Sequence, residues 1–249
     1  PSIPGGTVTL TLTTNDPDGA GPCAAATSNV VITVNPLPNT VSVTGGGTFC
    51  NTASLTASLA GPGTIFFQGT TSGGTSTALG GTPQTVSTSG TYFFRARSGA
   101  GCWGGEGSAA VTINPLPNLF SVTGGGSYCS GGGGVDIGLS STEAGVNYQL
   151  FRGATPVGAP VAGTLAAISF GLQTTAGTYT VVATNPSTGC FRTMTGSANV
   201  AINPLPTTFT VTAFGPTSYC AGGAGVNLFL LGSASGISYQ VMLGGLPVG

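Results

Sequence analysis

Charge is what this chain has least of. It carries four arginines (Arg95, Arg97, Arg152, Arg192), no lysine and no histidine, against five acidic residues, for a charged share of 4% and a net charge of −1. Soluble domains usually carry about 25%. Nucleic-acid binding needs a positive surface that displaces counterions, and four scattered arginines do not make one. Attraction to anionic lipid fails for the same reason. Without histidine there is no Ser-His or Cys-His nucleophile. The acids Asp16, Asp18, Glu106, Asp136 and Glu143 offer no close pair for glycoside hydrolysis. The glycine runs lack the lysine of a phosphate loop. The expectation is therefore a protein that is not an enzyme and needs no cofactor. No apolar run approaches the ~18 residues that span a bilayer, so direct membrane insertion is not expected. No window shows sustained helical periodicity. No Cys-x-x-Cys spacing argues for a cysteine metal site.

What is present is repetition. Val34-Asn35-Pro36-Leu37-Pro38 recurs as Ile113-Asn114-Pro115-Leu116-Pro117 and as Ile202-Asn203-Pro204-Leu205-Pro206, at spacings of 79 and 89 residues. Each copy precedes a cysteine by a near-constant interval: Cys50, Cys129 and Cys220. A fixed period of this kind marks a tandem array. It predicts two complete modules, 39–117 and 118–206, flanked by the C-terminal part of one (1–38) and the N-terminal part of another (207–249). The chain reads as a stretch of a longer protein. The paired prolines, Pro36 and Pro38, Pro115 and Pro117, Pro204 and Pro206, fix φ and favour an extended, semi-rigid joint after each module.

Within a module, apolar and polar residues alternate. Thr7 to Thr13, Asn51 to Leu59 and Thr178 to Thr184 all show the period of two of a half-buried strand. In module 118–206, strands are expected near 119–123, 135–140, 146–151, 156–162, 165–171, 177–184 and 197–202. Glycine clusters such as Gly45-Gly46-Gly47 and Gly124-Gly125-Gly126 read as turns. Seven short strands in under 90 residues predict an all-β fold, a tandem array of Greek-key sandwiches. Cys129 to Gly158 maps onto Cys220 to Gly249 at a constant offset of 91, which takes Tyr148 to Tyr239.

Gly177-Thr178-Tyr179 and Gly90-Thr91-Tyr92 open the sixth strand of their modules. Tyr92 and Tyr179 there resemble the tyrosine corner of immunoglobulin-like sandwiches. Val8 replaces the tyrosine in 1–38. The antibody cysteine is missing at Phe94 and Val181, and the one tryptophan, Trp103, reads as a loop residue. Cysteines come two per module at equivalent places, which favours disulfides and an oxidising compartment. Intra-module pairing gives Cys50–Cys102 and Cys129–Cys190. The alternative crosses the joints: Cys23–Cys50, Cys102–Cys129 and Cys190–Cys220. The intra-module positions fall near opposite ends of a Greek-key sandwich, which counts against the first set, but a module must usually fold alone, so intra-module pairing is the expectation. Asn15-Asp16-Pro17-Asp18-Gly19 reads mainly as a turn, with Asp16 and Asp18 as a weak metal candidate. Aromatics such as Phe93 and Phe229 are expected to pack at junctions or under loops, with a sugar-binding platform as the rival reading.

Cys129 to Leu139, Gly177 to Val181, Thr188-Gly189-Cys190 and Val200 to Pro206, taken together, resemble the immunoglobulin-like repeats of very large secreted surface proteins of the Bacteroidota. Many of those accompany gliding-motility adhesins and leave by the type IX secretion route. The resemblance implies an extracellular cell-surface adhesin or stalk. Its partners would be neighbouring repeats, surface glycans or solid substrata. A self-assembling filament or sheath, favoured by near-zero charge, is the second expectation, and a carbohydrate-binding module the third.

Overall fold

The computed structural model describes residues 5–16, 19, 21–22 and 24–248. Among them every regular element is a β-strand. They fall into two compact units, residues 1–117 with 185–191, and residues 118–184 with 192–249.

The first unit opens with the antiparallel hairpin β1 (Gly6–Thr13) and β2 (Thr27–Val34). Its main body uses β3 (Ser42–Thr44), β4 (Gly47–Cys50), β5 (Ala53–Ser58), β6 (Thr64–Phe67), β7 (Gln84–Val86), β8 (Gly90–Arg97) and β9 (Trp103–Asn114). One sheet has the order β3-β5-β7 and the other β4-β9-β8-β6. β4 runs parallel to β9, and the other pairings are antiparallel. That order, with the first strand divided between two sheets, is the immunoglobulin-like sandwich arrangement. The alternation seen in sequence builds it. Ala53, Leu55 and Ala57 of β5 are buried while Ser54, Thr56 and Ser58 face out. Tyr92, Phe94 and Ala96 of β8 meet them, joined by Val41, Val86, Ala109 and Val111. Phe67 of β6 packs on Phe94 with ring centroids 5.0 Å apart.

The second unit repeats the scheme with β10 (Val122–Gly124), β11 (Gly126–Cys129), β12 (Val135–Leu139), β13 (Asn147–Arg152), β14 (Thr155–Ala162), β15 (Ile168–Gln173), β16 (Gly177–Thr184), β17 (Phe191–Thr193) and β18 (Ala198–Asn203). The sheets run β10-β12-β15 and β11-β18-β16-β13-β14, with β17 beside β16. The extra strand β14 covers an edge that β6 leaves open in the first unit. Ile137, Leu139, Tyr148, Leu150, Tyr179, Val181 and Val200 form the core. The closing residues add β19 (Val211–Phe214), β20 (Asn227–Leu230), β21 (Val241–Leu243) and β22 (Leu246–Val248), paired as two hairpins.

Three sequence expectations change. The glycine clusters are not simple turns, because they carry the chain from one sheet to the other. Gly45 and Gly124 adopt φ of 94° and 83°. A Cβ there would lie 2.2 Å from the Ser54 carbonyl oxygen and 2.1 Å from that of Asp136. Directly after these glycines come β4 and β11, two strands the alternation rule misses because each is four residues long and glycine-led. Trp103 is the first residue of β9, not a loop residue.

Candidate functional site: cysteines, tyrosine corners and a charged cluster

The structure bonds Cys50 to Cys190, with Cα atoms 5.6 Å apart and 140 residues between them in sequence. Both lie in the first unit, because residues 185–191 count with it. Neither Cys50–Cys102 nor Cys129–Cys190 forms, and neither does any pair of the alternative set that uses Cys50 or Cys190. Cys102, Cys129 and Cys220 carry free thiols, so Cys102–Cys129 is also not formed. Cys23 lies outside the described residues. Strand length explains why Cys50 and Cys102 do not meet. Cys50 stands opposite Asn114, the last residue of β9, whereas Cys102 immediately precedes Trp103, the first. A twelve-residue strand at ~3.3 Å per residue keeps the two ends roughly 35 Å apart, and a disulfide needs Cα atoms within about 7 Å.

Each cysteine position has a fixed backbone setting. Cys50 pairs with Asn114 and Cys129 with Asn203, both in parallel register. The next residue, Asn51 or Ser130, donates its N–H to that asparagine's carbonyl at 3.0 or 2.8 Å. So the asparagine of the Asn-Pro-Leu-Pro phrase anchors the cysteine strand. At the other position, Ser98 N–H donates to the Cys102 carbonyl at 2.9 Å and Asn185 N–H to the Cys190 carbonyl at 2.8 Å.

The tyrosines also recur with their bonds. Tyr92 Oη donates to the Thr88 carbonyl and Tyr179 Oη to the Thr175 carbonyl, each at 2.8 Å. A second tyrosine motif was not singled out in sequence. Glu143 N–H donates to Tyr148 Oη at 2.8 Å, and Ala234 N–H to Tyr239 Oη at 2.8 Å, five residues apart in both cases. The constant offset of 91 was the signal that places them together. Burial pushes the Tyr148 phenol above its ordinary pKa; the Glu143 N–H pulls the other way, and the Glu143 carboxylate adds to the rise. Of the joint prolines, Pro38 and Pro117 are buried, while Pro36, Pro115, Pro204 and Pro206 are exposed.

The densest polar group was also missed in sequence. Arg95 of β8 and Glu106 of β9 are cross-strand partners. Arg95 donates to the carbonyls of Gly104, Gly73 and Gly74 at 2.9–3.1 Å. Glu106 accepts from Ser72 Oγ at 2.8 Å and from Gly73 N–H at 2.6 Å. These bonds, and to a smaller degree the Arg95 charge, hold the Glu106 carboxyl below its ordinary pKa. The guanidinium carbons of Arg95 and Arg97 lie 5.6 and 5.8 Å from the centre of the Trp103 ring. The cluster pins the loop after β6 to the sheet. Its readable sign was Arg95 and Arg97 two apart on one face of a strand.

Among the described residues no group of three or more His, Cys, Asp or Glu is placed to hold a metal. Asp16 follows β1, and Asp18 lies outside the described residues. Phe93 is half-buried, and Phe229 lies beside Phe214 with centroids 6.5 Å apart.

No known protein family matches the sequence, and no curated protein matches it. Solved structures do. Murine CEACAM1b is 11% identical over 66% of this chain and 100% of its own, with a TM-score of 0.32. The N-terminal eight immunoglobulin domains of Down Syndrome Cell Adhesion Molecule are 13% identical over 80% of this chain and 31% of theirs, with a TM-score of 0.29. A three-immunoglobulin-domain piece of titin is 9% identical over 80% and 75%, with a TM-score of 0.31. At such scores these likenesses carry no argument. The immunoglobulin-like assignment rests on the strand order and pairing of the two sandwiches.

Proposed function

We propose that this chain is a stretch of an extracellular repeat array that serves as a cell-surface stalk or adhesin. The observation that carries the reading is the recurrence of one sandwich with the same strand order, tyrosine corner and cysteine settings, together with the Cys50–Cys190 bond. A disulfide in a protein with small cores belongs to an oxidising compartment, outside the cell or in a periplasm. Repeats that fold on one plan are economical spacers, since each adds length without new chemistry. The proposed array belongs to the gliding-adhesin type of the Bacteroidota, exported by the type IX route. Its partners are neighbouring repeats and a surface glycan or solid substratum. The Asn-Pro-Leu-Pro phrases act as its stiff joints.

Deletion of these repeats in the source cell tests the proposal. Loss of attachment or gliding, with single beaded threads in electron micrographs of secreted material from the parent, is the expected result. Unchanged attachment and gliding after deletion contradicts it. Low charge favours a second reading, lateral assembly into a filament. That reading predicts ordered bundles or tubes in the same micrographs.

A further inference from the structure

The Cys50–Cys190 disulfide joins two positions that both recur. Cysteines of the first kind, Cys50 and Cys129, end a short strand set against the asparagine of the joint phrase. Cys220 follows the third phrase, and its turn matches that of Cys129: Gly132 N–H donates to the Cys129 carbonyl and Gly223 N–H to the Cys220 carbonyl, both at 2.9 Å. Cysteines of the second kind, Cys102 and Cys190, close a loop after the tyrosine-corner strand. Each has its carbonyl bonded back to the start of that loop. Each also has its own N–H held by a loop hydroxyl: Cys102 by Ser98 Oγ at 3.1 Å and Cys190 by Thr188 Oγ1 at 3.3 Å. Bonded and unbonded members of each kind therefore share one backbone setting.

We propose that the bond follows a rule of the repeat: the first-kind cysteine of one copy pairs with the second-kind cysteine of the next. The proposal rests on the tandem-repeat reading and is independent of adhesion. Cys50 in copy 39–117 and Cys190 in copy 118–206 obey the rule. It also accounts for the thiols. Cys102 requires a first-kind cysteine from a preceding copy, and Cys129 and Cys220 require second-kind cysteines from following copies. None of these is found within residues 1–249, and all three are free. Cys129 and Cys102 are thus complementary half-bonds whose partner is another copy of this repeat. Cys129 is solvent-exposed and Cys102 is half-buried. In copy 39–117, pairing inside the copy is blocked by the length of β9, which holds Cys50 and Cys102 at opposite ends. Each bond forms between two sulfurs as two S–H bonds break. The two electrons and two protons pass to a disulfide-bearing oxidant, whose own S–S bond breaks to give two thiols.

The test lengthens the chain by one in-frame duplicate of residues 118–206 placed after Pro206. The product is oxidised in a glutathione buffer, alkylated, digested without reduction and mapped by mass spectrometry. The rule predicts that Cys50–Cys190 persists and that Cys129, alkylated in the parent chain, becomes bridged to the duplicate's counterpart of Cys190. A Cys129–Cys190 or Cys102–Cys129 bridge, or a Cys129 that is still alkylated, overturns it. A second variant needs no added copy. In Cys190→Ser, Cys50 is expected to join the alkylated pool, and a Cys50–Cys102 bridge there overturns the rule. Neither readout depends on attachment, so failure of the rule is distinct from failure of the adhesin reading.

Discussion

Tyr179 is almost fully buried, and its hydroxyl donates to the Thr175 carbonyl. Tyr179→Phe keeps the ring and strands that carbonyl. The expected cost is about 1 kcal/mol, the usual net worth of such a bond, read as a lower midpoint in urea unfolding. Tyr92→Phe is expected to cost at least as much, since Thr88 Oγ1 also lies 2.8 Å from the phenol. Glu106 gives a prediction of a different kind. Its folded pKa is lowered, so the folded state binds fewer protons than the unfolded state across that window. Its contribution is present above the ordinary glutamate value and is lost as pH falls through the lower, folded one. The Gly73 amide, which donates to Glu106, is expected to lose protection from hydrogen exchange in that acidic window. In Glu106→Gln the loss is expected to have no such pH dependence.

At the scale of elements, the switch glycines carry the two-sheet division of the first strand. Gly45→Ala places a Cβ against the Ser54 carbonyl at a positive φ. Strain and overlap together predict a loss of roughly 2–5 kcal/mol by chemical denaturation. Gly131→Ala is the control: its φ is 83° but nothing lies within 4 Å, so only the backbone term applies, about 1–2 kcal/mol. These elements also show what the sequence made legible. Long alternating strands such as β5 and β16 were readable because one face is buried and the other is mostly threonine or serine. β4 and β11 were not, since four glycine-led residues show no period. The tyrosine corners were legible from Gly-Thr-Tyr. The Arg95–Glu106 cluster was not, because register between β8 and β9 decides it and one strand's pattern does not contain register. The cysteines were legible as two recurring kinds, whereas the failure of Cys50 to meet Cys102 depended on which end of β9 each one occupies.

For the whole molecule, the Cys50–Cys190 bond closes a loop of 140 residues. In the chain-entropy treatment this removes about 5 kcal/mol of freedom from the unfolded chain, an upper expectation. Its more specific consequence concerns load. The proposed stalk would be pulled by its ends, and tension entering at Cys50 leaves through Cys190, so the residues between them are bypassed. The strands between the two cysteines, β5 to β16, are then protected from extension without large cores. Single-molecule stretching of the intact chain from its two ends, with and without reductant, tests this account most directly. The predicted result is that residues 51–189 contribute no extension while the bond stands, and that reduction under load releases roughly 480 Å of new length. Equal extension in oxidising and reducing buffer would contradict a load-bearing array covalently linked from copy to copy.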